Sequence, residues 1–106
     1  MSKTVLFITF KLASGVSKPD FMKTAEKLNN EFISKQKGYI SWAQLVDGDT
    51  WADMLTWETA EDAQNAMAAS ESYAPNMEFF ALLDGPSIKM NMFTVANEYV
   101  SNVNQG

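Results

Sequence analysis

YISWAQLVDGDTWADMLTW, residues 39–57, holds two runs of aromatic, aliphatic and β-branched residues around an Asp47-Gly48-Asp49 cluster. Tyr39 to Val46 reads as a strand, the cluster as a tight turn, and Thr50 to Trp57 as the returning strand of a β-hairpin. Side chains alternate across a strand, so Trp51, Asp53, Leu55 and Trp57 share one face and an acid sits among apolar neighbours.

On the N-terminal side, Lys3 to Leu12 (KTVLFITFKL) places Val5, Phe7 and Thr9 on one face and Leu6, Ile8 and Phe10 on the other. Both faces read as buried. Ser14-Gly15 turns the chain, and Ser17 then offers a helix N-cap, with Pro19 in the first turn and Asp20 three residues after the cap. Phe21, Ala25, Leu28 and Phe32 recur at helical spacing opposite Lys23, Glu26, Lys27 and Glu31. The pattern predicts an amphipathic helix running to about Lys35 and stopped by Gly38.

On the C-terminal side, Thr59 with Glu61 and Asp62 repeats the capping pattern and opens a helix whose Ala63, Ala66 and Met67 share a face. Pro75 interrupts it, and a second helical piece to about Leu83 turns Met77, Phe80 and Leu83 inward. Asp84-Gly85-Pro86 ends that piece, and Ser87 to Val95 forms the last strand. Residues 96–106 form a polar tail whose anchors are Tyr99, Val100 and Val103.

The order β-α-β-β-α-β, with its second helix in two pieces, predicts one α+β domain over residues 1–95. The fold expected is a ferredoxin-like sandwich with a four-stranded antiparallel sheet. Its first and third strands are central and its helices cover one face. The other face carries an apolar patch too large to leave in water, which implies a homodimer joined sheet to sheet, with the tail either crossing to the partner subunit or disordered.

Composition narrows the chemistry. The chain has 106 residues, 46% hydrophobic, and a formal net charge of −5, and each of its 8 positive side chains is a lysine. No basic stripe exists to neutralise a phosphate backbone or an anionic membrane, so nucleic acid and membrane surfaces are not expected partners. The sequence also lacks cysteine, histidine and arginine. That removes the usual zinc, iron–sulfur and haem ligands, the thiol nucleophile, the Ser-His-Asp triad and the bidentate phosphate clamp. No cofactor and no metal are therefore expected. The apolar run of the N-terminus is too short for a secretory signal, and no run reaches the length of a membrane span, so a cytoplasmic protein is expected.

The chain resembles the antibiotic-biosynthesis-monooxygenase-like family of the dimeric α+β barrel superfamily. The likeness lies in the element order, Gly38-Tyr39-Ile40 opening the second strand, the Trp57-Glu58-Thr59 junction before Glu61-Asp62-Ala63, and the Ser70 to Phe80 segment before Asp84-Gly85-Pro86. It implies a dimeric barrel and a reaction in which a deprotonated aromatic substrate supplies its own electrons to dioxygen. The pocket tryptophan of such enzymes corresponds to Trp57. The position four residues earlier, an asparagine in the family, is Asp53 here, and a tyrosine that some members carry is replaced by Ala63. A related branch degrades haem through a helical histidine, a route this sequence cannot follow.

These features nominate Asp53 as general base, because a desolvated carboxylate has a raised pKa. The plainer alternative places it at an exposed strand edge or in an ion pair, and its burial decides between them. Trp57 joins it as a catalytic-pocket residue or as core. Trp42, Tyr39 and Trp51 offer flat surfaces for an aromatic ligand or fill the dimer barrel, while Tyr73, Met77 and Phe80 complete the candidate binding set. The function expected is cofactor-independent monooxygenation of a small aromatic of the quinol or anthrone type. The alternative is a non-enzymatic or stress-related dimer that binds a small apolar ligand.

Overall fold

The computed structural model describes residues 2–102. Strand β1 spans Thr4–Phe10, helix α1 Lys18–Glu31, β2 Tyr39–Asp47, β3 Thr50–Trp57, α2 Ala60–Glu71, α3 Ala74–Phe80 and β4 Lys89–Thr94, with short 3-10 turns at Ile33–Lys35 and Gly85–Ser87. The four strands form one antiparallel sheet in the order β2-β3-β1-β4, which makes β1 and β3 central as the sequence predicts.

Local chemistry accounts for the element ends. Ser17 Oγ accepts the Asp20 N–H at 3.2 Å and Thr59 Oγ1 accepts the Asp62 N–H at 3.0 Å, so each long helix begins at its capping residue. Helix α1 ends earlier than about Lys35, because Phe32 leaves helical geometry at φ −136° and its ring stacks on Tyr73 at 4.3 Å. Leu12 lies outside β1 and makes only an isolated bridge to Leu83. Gly48, the first of the two hairpin-turn residues, has φ +63°.

The helices cover one face of the sheet. Leu6, Ile8 and Phe10 of β1 and Trp51, Leu55 and Trp57 of β3 pack there against Phe21, Ala25 and Leu28 of α1, Ala63 and Ala66 of α2, and Phe79 of α3. Phe21 is the hub, with ring contacts to Phe10 at 5.6 Å, Trp51 at 4.9 Å and Phe79 at 5.3 Å. The opposite face stays half open, so β1 is fully buried on one side only: Val5, Phe7 and Thr9 are half-buried. Register puts Met54 and Phe93 beside them, and both are exposed, Phe93 by 53%.

A further expectation is corrected. Met77 points outward and is 67% exposed, because the seven-residue α3 buries Asn76 and Phe79, leaving the positions beside them to face solvent; Phe80 is 37% exposed, while Leu83 is buried as expected. In the tail, Tyr99 and Val100 are exposed within the single chain, and Glu98 pairs with Lys3 at 3.1 Å. Val103 lies outside the described residues.

Gly38 is the tightest backbone constraint. It has φ +83°, its carbonyl accepts the Glu58 N–H at 2.8 Å, and a Cβ there would run into the side chain of Asp62. Gly38→Ala is expected to destabilise the protein by about 2–4 kcal/mol, from the left-handed backbone penalty plus overpacking. Urea unfolding at neutral pH checks this, and a loss below about 0.5 kcal/mol, the scale of an ordinary surface substitution, would contradict it.

Candidate active site

A cavity of about 200 Å³ lies between the sheet and the helices. Its sheet wall carries Asp53, Leu55 and Trp57 of β3 with Trp42 of β2. Leu28 of α1, Met67 of α2 and Phe79 of α3 face them. Glu71, Phe80 and Met90 are its exposed members and mark the mouth.

The hairpin register builds the polar end of this cavity. Asp47 pairs with Thr50 across the turn, which sets Gln44 opposite Asp53 and Trp42 opposite Leu55. Trp42 therefore stands diagonally between Asp53 and Trp57 on the helix-facing side, where diagonal neighbours remain within reach of aromatic side chains. Gln44 Nε2 donates to Asp53 Oδ1 at 3.5 Å, the long limit of a hydrogen bond.

Asp53 is 3% exposed. Burial pushes its carboxyl up from 3.8 to about 6, against the opposing pull of Trp42 and Gln44, which favour the charged form. Trp42 acts through its indole N–H, which lies beside the carboxyl in a contact that falls short of full hydrogen-bonding geometry. Among the described residues, the two buried side-chain polar atoms without a partner are Nε1 of Trp42 and Nε1 of Trp57, both on cavity-lining residues. An indole N–H can only donate, and for Trp42 the neighbouring acceptor is the Asp53 carboxyl.

The cavity thus brings together Asp53, Trp57, Trp42 and Phe80 of the candidate set. The others stand apart for identifiable reasons. Trp51 is committed to the Phe21 ring in the core, and Tyr73 stacks on Phe32. Tyr39 packs its ring edgewise near Trp57 at 5.9 Å and donates its hydroxyl to Asn29 Oδ1 at 2.9 Å. Met77 faces solvent. Sequence reasoning missed Gln44, Asn76 and Phe79; a two-residue turn would have placed Gln44 opposite Asp53 by counting, whereas nothing in the pattern marks Asn76 as buried.

No protein-family model and no curated protein matches the chain. Solved structures do. SnoaB, a cofactor-independent oxygenase from Streptomyces nogalater, superposes with a TM-score of 0.76 at 13% identity, covering 92% of this chain and 97% of that one. A Bacillus cereus protein proposed to be an antibiotic biosynthesis monooxygenase gives 0.67 at 18% identity, covering 97% and 100%. A dimeric ferredoxin-like protein from an uncultured marine organism gives 0.68 at 10% identity, covering 96% and 95%. The chain therefore has the ferredoxin-like α+β fold shared by antibiotic-biosynthesis-monooxygenase-like proteins.

The raised pKa of Asp53 has a measurable consequence for stability. The folded state holds this proton more tightly than the unfolded state, so the group costs nothing below pH 3.8 and costs progressively more as pH rises to about 6, with no further change above. Asp53→Asn, which removes the charge at similar volume, is expected to stabilise the protein by about 3 kcal/mol at pH 8 and by nearly nothing at pH 3.5. Urea midpoints of variant and wild type at both pH values test this, and an equal difference at both would refute the buried-charge account.

Proposed function

We propose that the protein is a homodimeric, cofactor-independent monooxygenase for a small, neutral, planar aromatic of the quinol or anthrone type, with Asp53 as general base. The observation that carries this reading is a carboxyl with a pKa of about 6, buried at the wall of an otherwise apolar cavity. At pH 7 and above it is mostly ionised, and it is a stronger base than an exposed aspartate. Likeness of fold to SnoaB supports the reaction class.

The reaction balances within substrate and dioxygen. Asp53 takes a proton from the substrate, and the resulting anion passes electrons to dioxygen. For a ring methylene, two hydrogens are lost, one oxygen atom becomes the new carbonyl and the other leaves as water. Every electron for dioxygen comes from the substrate. The remaining charge at the mouth, Glu71, is also acidic, which favours entry of a neutral ligand that ionises only inside.

Oxygen uptake with a panel of anthrones, quinols and flavonols, after metal stripping by chelation, tests the function. Turnover is expected to survive chelation, to rise with pH through about 6 and to fall at least 100-fold in Asp53→Asn. No uptake above the uncatalysed rate across the panel would favour a binding protein instead.

The dimer follows from the open sheet face. Phe7, Met54, Leu45 and Phe93 form an apolar surface there, with Phe7 and Phe93 in edge contact at 6.4 Å. We infer that two such faces pack together, as the dimeric ferredoxin-like neighbour supports. Light scattering at micromolar concentration is expected to give twice the 11.8 kDa chain mass. Phe7→Glu should reduce it to a single chain, and a wild-type monomer would contradict the pairing.

A further inference from the structure

Asn76 is a buried polar side chain on the cavity wall that the fold leaves unbonded. It is 9% exposed and lines the cavity from α3, on the same helix face as Phe79 three residues on. Its backbone N–H donates to the Tyr73 carbonyl at 3.0 Å, but its side-chain amide makes no hydrogen bond to any described residue. Nor is that amide sealed in. Among the described residues, the side-chain polar atoms closed to water without a full hydrogen bond are the two indole nitrogens, so both the oxygen and the nitrogen of the Asn76 amide are within reach of a water-sized group. The Ser70 hydroxyl, also on the lining, already donates to the Met67 carbonyl at 2.8 Å. An amide held without a partner costs the fold free energy, and one set into an otherwise apolar wall is the kind of polar group that orients a ligand.

We propose that Asn76 is the second polar anchor of the ligand, its amide N–H donating to a ligand carbonyl oxygen while the ionising end of the ligand lies at Asp53. The two residues enter the cavity from different layers, Asp53 from β3 and Asn76 from α3, and they offer unlike chemistry. An ionised carboxylate only accepts, so it repels a carbonyl, whereas the amide can donate to one. The ligand is thereby oriented, with its proton donor toward the sheet and its carbonyl toward the helix. When Asp53 takes the proton, the electron pair left behind moves through the conjugated ring onto the carbonyl oxygen. The enolate oxygen so formed lies against the Asn76 N–H, where the added charge strengthens the hydrogen bond. Asn76 thus selects, among neutral planar ligands, those whose ring joins the acidic position to a carbonyl. A cavity of about 200 Å³ suits a one- or two-ring ligand, since cavities of about 150 Å³ already admit benzene.

This inference rests on the reading of Asp53 as base, but its test uses neither dioxygen nor turnover. The probes are 1-tetralone and tetralin, the same two-ring frame with and without a carbonyl, titrated into the full chain at pH 8 by calorimetry. If Asn76 takes no part, the more hydrophobic tetralin binds more tightly, because the carbonyl would leave water unpaired. The wild type is expected to prefer 1-tetralone, and Asn76→Leu, similar in volume but without the amide, should shift the preference about tenfold toward tetralin. Should that variant fold poorly, the side-chain amide resonances of Asn76 in the wild type decide: they should move downfield with 1-tetralone and not with tetralin. A wild-type preference for tetralin, no shift of preference in Asn76→Leu, unmoved Asn76 resonances, or no binding of either probe would overturn the proposal. An Asn76-dependent preference for the ketone without oxygen uptake on any substrate would leave this anchor standing and remove the oxygenase reading. Oxygen uptake with no ketone preference would do the reverse.

Discussion

The chain keeps a carboxyl group out of water on an otherwise apolar wall, and the rest of the site depends on that. Among the described residues Asp53 has no cationic partner: its polar neighbours are the Gln44 amide, through a long hydrogen bond, and the Trp42 indole N–H. Desolvation therefore outweighs both neighbours and sets the carboxyl near 6. An arginine or lysine in this position would have reversed the balance, stabilising the charge and leaving a weak base. The absence of arginine from the sequence and the placement of its lysines on exposed positions such as Lys11, Lys23 and Lys27 keep the cavity free of such a cation.

A fold carries such a group only if its core outweighs the cost. Fully burying a large apolar side chain contributes roughly 1.5–3 kcal/mol, so two such residues offset one desolvated carboxylate of this kind. The Phe10, Phe21, Phe79 and Trp51 cluster exceeds that several times over. It sits beside the acid rather than around it, because Trp51 and Asp53 are successive inward positions of β3. The strand thus carries core and site on one face, with rigidity supplied at one end and chemistry at the other.

Much of this was legible in the sequence, and the parts that were not have physical causes. Alternation in β3 put Asp53 on one face with Trp51, Leu55 and Trp57 while leaving its burial open, and the caps at Ser17 and Thr59 marked both helix starts. Helix α3 misled because hydrophobicity favoured Met77 and Phe80, whereas seven residues held by Tyr73 and Phe79 settle in the phase that buries polar Asn76. Tyr73 left the site through its stack on Phe32, a contact between helices that no local pattern reports. The burial of the Trp42 and Trp57 indole N–H groups was invisible too, since a tryptophan in the sequence gives no sign of whether its N–H is reached by water.

The most direct test of the account is the ionisation of Asp53 itself, followed by the carboxyl carbon resonance of this residue across pH 3 to 9. A midpoint near 6 is the expected result. A midpoint at or below 4 would mean that water or a cation reaches the group, and would remove the base on which the site is built.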